Sequence, residues 1–209
     1  TQDVTVRYNT CTNVNSGIRI GGGDLGLNNT STRVHVHDNV LLGLGNQPGS
    51  TKRPLVVQGN NTAPADPSGP IDVTIDHITV AAPGAIGITL ETNENATPAW
   101  PTLVRVTIRN SILPKVTAVI KGAGVAEGTA TLDIVAPSSY TVGNLVMAGA
   151  TCASYPGSGH NCPSSSPSVD ANVGFADYAN GNYECTGAPC NNAATDGDDI
   201  GARRALFSP

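Results

Sequence analysis

Pairs of apolar residues that flank a single polar residue recur along the chain, and each pair opens a similar phrase. The phrases are DVTVRYN, RVHVHDN, DVTIDHI and RVTIRNS, and their apolar pairs are Val4/Val6, Val34/Val36, Val73/Ile75 and Val106/Ile108. A period of two, with Val and Ile at the apolar positions, is typical of β-strands. A second short apolar segment follows each phrase, at residues 17–20, 55–57, 86–90 and 118–120. Each repeat unit is therefore predicted to contain two strands.

The spacing of these units is irregular. Successive phrases start 30, 39 and 33 residues apart, which excludes a strict helical repeat such as a tetratricopeptide array. Variable loops on a constant frame explain the spacing. A single unit buries too little apolar surface to be stable, but coils stacked at about 4.8 Å would pair their backbones and share one aliphatic core.

A polar residue follows the first strand of most units. Asn9, Asn39 and Ser111 occupy equivalent positions, and Ile78 interrupts the series. A residue that tolerates a left-handed backbone and bonds to a neighbouring backbone suits a sharp corner. We expect these side chains to stack in a row at a corner rather than to act in catalysis.

Composition supports a single domain with little helix. The chain has 209 residues, only 13% of them charged and 4% aromatic, with 24 Gly and 15 Pro. The net charge of −5, with no Lys/Arg cluster, argues against nucleic acid or an anionic membrane as a partner. No run approaches the roughly 18 apolar residues that span a bilayer.

The cysteines suggest two local disulfides. Cys152 pairs with Cys162 and Cys185 with Cys190 in this prediction, while Cys11 is expected to be a small buried apolar residue. Reduced thiols are the alternative. A zinc site is a further alternative, but His160 between Cys152 and Cys162 leaves the ligand set incomplete, and we predict no metal site. Disulfides would indicate a secreted or extracellular protein, with the periplasm as a second setting.

The four phrases, together with the ending VGFADYANGNYECTGAPCNNAATDGDDIGARRA at residues 173–205, resemble secreted pectate-lyase-like proteins. The similarity is to the C-terminal portion of these proteins. It implies an all-β, right-handed parallel β-helix, or solenoid, in one domain over residues 1–209. The coils would occupy about residues 3–150, and an irregular C-terminal tail would occupy about residues 151–209. Because the family's N-terminal capping helix and lower coils find no counterpart here, we expect a fragment of a longer parent.

This resemblance implies a function in carbohydrate recognition. The family includes lyases and hydrolases of acidic polysaccharides, carbohydrate-binding modules and adhesins. We expect a secreted module that recognises plant or microbial polysaccharide. One alternative is a polysaccharide lyase or glycoside hydrolase that acts on an acidic polysaccharide. A second alternative is a structural or adhesive surface protein.

If the apolar pairs face inward, two columns of polar residues face outward. The threonine column is Thr5, His35, Thr74 and Thr107, and the charged column is Arg7, His37, Asp76 and Arg109. An arginine beside a carboxylate is the arrangement with which the lyases in this family abstract a proton next to a uronate, so the charged column is the candidate catalytic set. The alternative is a solvated face whose alternating charges avoid repulsion. No cofactor is predicted. Calcium stays open, although Asp38 and His77 nearby form no cage of converging carboxylates.

Trp100 is the only tryptophan and lies in the loop ETNENATPAWP. An aromatic ring stacks on the apolar face of a pyranose, so Trp100 with Glu91, Asn93 and Glu94 is a candidate ligand-binding subsite. The alternative is that Trp100 fills a gap beside the core.

Beyond residue 122 the pattern weakens. The segments TATLDIVAP and SYTVGNLVMAG are predicted to be strands, and SYPGSGHNCPSSSPSVDAN is predicted to be an outer loop. The tail is expected beyond the last coil. The strand that contains Val4 and Val6 would then be an open edge, which we expect to pair with another copy of the chain, with another polypeptide or with the rest of the parent.

Overall fold

The computed structural model describes residues 3–12, 16–21, 33–42, 53–58, 72–81, 86–91, 105–115, 117–122, 124–137, 139–163, 173–177, 180 and 182–203. Of these residues, 55% lie in strands and 8% in helices. The protein is therefore mostly β, as its composition predicts.

Strands alternate along the chain between two parallel sheets. Sheet A contains β1 (Asp3–Arg7), β2 (Thr10–Thr12), β4 (Arg33–Leu42), β6 (Asp72–Val80), β8 (Arg105–Ile112) and β10 (Tyr140–Val146). Sheet B contains β3 (Ser16–Gly21), β5 (Arg53–Gln58), β7 (Ile86–Glu91) and β9 (Ala118–Gly122). A short antiparallel pair, β11 (Phe175–Asp177) and β12 (Asn182–Cys185), lies near the C-terminus.

The predicted register of the repeated phrases is confirmed. Val4 pairs with Val34, Val34 with Val73, and Val73 with Val106 along sheet A. Sheet B shows the same order, because Ile18 pairs with Leu55, Leu55 with Ile88 and Ile88 with Ile120. Equivalent positions of successive units therefore lie side by side.

Most apolar residues of the two sheets form one core, whereas Ile112 of β8 and Val146 of β10 belong to a second cluster with residues near the C-terminus. The central side chains of the first core in sheet A, Val36, Ile75 and Ile108, have no exposed surface, and Leu55 and Ile88 of sheet B are equally buried. These residues belong to one contiguous cluster. Burying each such side chain contributes about 1.5–3 kcal/mol to stability.

The corner of each unit lies one residue earlier than the sequence suggests. Five residues of sheet A with left-handed backbones form a column, Tyr8, Asp38, His77, Asn110 and Asn144, with φ between 49° and 59°. Asn9 and Asn39 follow this column, so the prediction that they adopt the left-handed conformation is wrong. Their predicted backbone bonding is confirmed, because Asn39 Nδ2 donates to the carbonyl oxygen of Val6 at 2.9 Å.

The segment TATLDIVAP is not a strand. Residues Thr129–Val135 form a helix, α1, whose side chains Thr131, Leu132 and Val135 are buried. The buried apolar residues Leu132, Val135 and Ala136 lie at i, i+3 and i+4, which suits a helix, and here this spacing outweighs the β-branched composition that suggested a strand. The prediction of a strand in SYTVGNLVMAG is confirmed by β10.

The predicted outer loop also departs from expectation. Tyr155 is only 4% exposed and belongs to the core, where its hydroxyl donates to Glu127 Oε2 at 2.6 Å. Ser158 and Asn161 form parallel bridges with Gly143 and Val146 of β10. Residues 158–161 therefore continue sheet A beyond β10, and residues 164–172 of the predicted loop lie outside the described residues.

Both predicted disulfides are present, Cys152–Cys162 and Cys185–Cys190, and they suit an oxidising compartment. Cys11 is a free thiol that is partly buried against the core. His160 accepts a hydrogen bond from the Leu145 amide through Nδ1 and contacts the Pro156 carbonyl oxygen through Nε2, so it supports the local backbone. Within the described part of the chain, every helix falls short of the length and apolarity that a bilayer-spanning helix needs.

Only part of the tail lies beyond the last repeat unit, where Ser158 and Asn161 bridge to β10. The tail segment, defined as residues 190–203, runs instead along the left-handed column of sheet A and reaches Asp38 of β4 at Arg203. Along this path Asn144 donates to the Ala193 carbonyl, and Asn110 bonds to Thr195. The expectation that the tail sits at the far end is wrong for residues 190–203, which supply partners to the polar corner side chains along the side of the sheet.

Strand β1 pairs with β4 on one side, and no other described strand pairs with it. Val4 and Val6 on this strand are half-buried, whereas their partners Val34 and Val36 are buried. Unpaired edge backbone next to apolar surface favours association with another strand. We predict concentration-dependent association in sedimentation velocity, and a stable monomer over a wide concentration range would contradict this prediction.

Candidate functional site

Three columns of polar side chains cover the outer face of sheet A. The predicted threonine column and charged column are both confirmed as aligned positions of β1, β4, β6 and β8. A third column precedes them and was not identified in the sequence. This ion-pair column consists of Asp3, Arg33, Asp72 and Arg105. Its signal was the first letter of each repeated phrase, which alternates between Asp and Arg.

The ion-pair column forms two pairs at the surface. Arg33 Nη2 donates to Asp3 Oδ2 at 2.7 Å, and Arg105 Nη2 donates to Asp72 Oδ2 at 2.6 Å. The hydrogen bond from Arg33 holds the pKa of Asp3 below its usual value. Exposed ion pairs contribute little to protein stability. This column is therefore better explained as a binding surface or a solvated edge than as a feature that stabilises the fold.

Within the charged column, Asp76 is fully engaged by its neighbours. Arg109 donates to Asp76 Oδ2 through Nε at 2.9 Å and Nη2 at 2.8 Å, while Asn110 Nδ2 donates to Oδ1 at 2.9 Å. Asp76 is only 5% exposed. A carboxylate that is buried and accepts three hydrogen bonds is a poor general base.

Two histidines connect the charged and threonine columns. The rings of His35 and His37 stack with centroids 4.2 Å apart, and His37 Nδ1 lies 2.7 Å from Asp38 Oδ2. Burial lowers the pKa of His35, and the neighbouring His37 lowers it further. His35 is therefore neutral at pH 7. Its Nε2 atom is buried and has no hydrogen-bond partner among the described residues.

The carboxylate of Asp38 contacts the His37 ring of this stacked pair. Burial raises the pKa of Asp38, but hydrogen bonds from Arg203 and His37 outweigh burial, and the pKa lies below its usual value. Asp38 has no exposed surface. It is consequently an ionised acceptor for the His37 Nδ1–H group at neutral pH.

A cavity of about 620 Å³ opens on this face. It is lined by the ion-pair column, the threonine column and Arg109, together with Val4, Val34 and Val73 between them. Uncharged hydrogen-bonding groups thus form a central row, with carboxylate and guanidinium groups beside it. Such a site can bind an elongated ligand that carries many hydroxyl groups.

The predicted site residues fall into two groups. Arg7, His37, Asp76 and Arg109 lie together on sheet A, although only Arg109 lines the cavity. Glu91 is the last residue of β7 in sheet B. Trp100, Asn93 and Glu94 lie outside the described residues, so their grouping with Glu91 as a subsite stays a prediction.

Among the residues that the structure describes, no group of three or more His, Cys, Asp or Glu side chains could hold a metal ion.

Comparisons with protein-family models, with curated proteins and with solved structures found no match to this chain.

Proposed function

We propose that this chain is part of a secreted, pectate-lyase-like right-handed parallel β-helix and binds a polysaccharide on the outer face of sheet A. The alternation of successive strands between two parallel sheets supports a coiled path. Crossover connections between parallel strands of one sheet are almost always right-handed, which supports the handedness. The two disulfides support an extracellular location.

The observation that carries the binding function is the composition of the cavity. Thr5, His35, Thr74 and Thr107 present three hydroxyls and one neutral imidazole in a row, one group from each strand. Neighbouring strands lie about 4.8 Å apart, a spacing close to the length of one pyranose unit. A glycan lying across the strands would meet one polar group for each sugar.

The charge of the face favours an acidic glycan. The three columns contain four arginines, Arg7, Arg33, Arg105 and Arg109, but only three aspartates, although the whole chain has a net charge of −5. Three of these arginines are paired with the three aspartates, so the excess is one positive charge. A guanidinium group on an acidic protein attracts carboxylates and binds them with planar geometry.

Binding is supported better than catalysis by the same geometry. Asp76 already accepts three hydrogen bonds, so its oxygen atoms are occupied. His37 contacts Asp38 through Nδ1, and a histidine held in this way keeps Nε2 as its proton-accepting atom. A lyase or hydrolase requires a group that is free to take or give a proton at the substrate. Catalytic activity is therefore one of the outcomes that the experiment below distinguishes.

The test is affinity electrophoresis and calorimetry with homogalacturonan, alginate and neutral xylan. We expect saturable binding that favours the two acidic polymers. Replacing Thr74→Val should weaken binding about two- to tenfold, because the variant loses one hydrogen bond and keeps the β-branched shape. Thr141→Val is the matched control, since Thr141 continues the same column on β10 but does not line the cavity.

Other results would overturn the proposal. Unsaturated products that absorb in the ultraviolet would indicate a lyase, and new reducing ends without unsaturation would indicate a hydrolase. Absence of binding to any glycan would favour a structural or adhesive surface protein. An equal loss of affinity in Thr74→Val and Thr141→Val would place the site elsewhere on the protein.

A further inference from the structure

The tail segment contacts the histidine pair through a single buried carboxylate. Arg203 donates to Asp38 through two bonds, Nε to Oδ1 at 2.7 Å and Nη2 to Oδ2 at 2.5 Å. The Arg203 backbone amide lies 3.4 Å from the same Oδ1 atom. This paired geometry is the strongest form of arginine–carboxylate contact, and it fixes the plane of the carboxylate as well as its charge.

Asp38 transmits this constraint to the cavity. Its Oδ2 atom accepts the His37 Nδ1–H group, so the tautomer and plane of the His37 ring depend on where the carboxylate lies. The His37 ring stacks on His35, which lines the cavity, and the edge of Tyr8 packs at 5.9 Å on His37. An unbroken series of contacts therefore leads from Arg203 in the tail to the row of polar groups that would face the ligand.

We infer that Arg203 is a positioning residue for the proposed glycan site: its paired bonds to Asp38 set the orientation of His37 and, through the ring stack, of His35. The expected effect of Arg203 on glycan affinity rests on the proposed function. Its effect on the two imidazole rings is independent of any ligand.

The backbone conformation of Asp38 belongs to the corner and not to Arg203, because the equivalent residues of the other units are left-handed as well. The bonds to Arg203 and His37 instead hold the position of the Asp38 side chain. Without Arg203 the buried carboxylate would lack its counter-charge, and it would take up a proton or turn away from His37. Asp198 also contacts Arg203, at 3.2 Å, and is more exposed.

The experiment combines nuclear magnetic resonance of the imidazole nitrogens with glycan affinity. In the wild type we expect a slowly exchanging His37 Nδ1–H signal. In Arg203→Met this signal should be lost, the ring shifts of His35 should change, and affinity for the acidic glycan should fall about tenfold. Arg203→Lys keeps the charge but loses the paired geometry, so its imidazole signals and its glycan affinity should lie between those of the wild type and Arg203→Met. Arg19→Met is the control, because Arg19 lies on sheet B and contacts Gln58.

The outcomes separate the two proposals. Changed ring signals with no glycan binding by any variant would support the positioning role and overturn the proposed function. Glycan binding that is equal in wild type and Arg203→Met would overturn the positioning role. If Arg203→Met fails to fold, the wild-type spectrum alone tests the positioning role of Arg203. A rapidly exchanging Nδ1–H or an Nε2–H tautomer at His37 would contradict this role.

Discussion

Replacing Asp38→Asn should lower the free energy of unfolding by about 1.5–3 kcal/mol at pH 7, because the variant loses charge-assisted hydrogen bonds from His37 and from Arg203, whose side chain is 32% exposed. Asparagine suits this test, since it has nearly the shape of aspartate and tolerates the left-handed backbone at this position. The loss therefore reports the charge and its hydrogen bonds rather than backbone strain. Urea unfolding followed by circular dichroism would measure it.

The pH dependence gives a second test of the same residue. The pKa of Asp38 is lowered in the folded protein, so its contribution is complete above the unfolded-state pKa of about 3.9 and is lost as the pH falls through the folded-state value. Wild type and Asp38→Asn should thus differ most at neutral pH and converge below about pH 4.

Asp3→Asn is the control for Asp38, because Asp3 also pairs with an arginine in sheet A but is exposed. We expect little change in stability from Asp3→Asn. Equal losses in the two variants, or a difference between wild type and Asp38→Asn that does not depend on pH, would contradict the assignment of a buried ion pair.

Replacing Ile75→Ala should cost about 2–5 kcal/mol of stability, the range for removing a large aliphatic side chain from a packed core. Ile75 is fully buried on β6, where it pairs with Val36 on one side and Ile108 on the other. Neighbouring backbones are held by sheet hydrogen bonds on both sides, so they cannot collapse to fill the space. Chemical unfolding would measure the change.

Val6→Ala on β1 is the comparison for Ile75. Val6 occupies the equivalent position of the first phrase, but its side chain is only partly buried. The loss in Val6→Ala should be clearly smaller than in Ile75→Ala. Similar losses would show that the edge at β1 is covered in solution, which would agree with the association predicted for that edge.

The sequence by itself determined the strands of the four repeated phrases, their register and two of the three polar columns. Val and Ile at a period of two predict strands with one buried face, and a shift by one residue would move every apolar side chain to the solvent face. Thr74 and Asp76 could therefore be assigned to the outer face from the positions of Val73 and Ile75 alone. The cysteine spacing likewise predicted both disulfides.

Only the tertiary structure decided how the corner and the tail meet. Asp38 and Arg203 are separated by 165 residues, and no local period links them. The same is true of Asp76, whose neighbours Arg109 and Asn110 occupy its oxygen atoms and turn a candidate base into a structural acceptor. The helix at Thr129–Val135 was missed because its β-branched residues favour strands locally, whereas burial of Leu132 and Val135 on one side favours a helix. Local patterns record which face of a strand is buried, but the partner of a polar group depends on which distant segment the folded chain brings beside it.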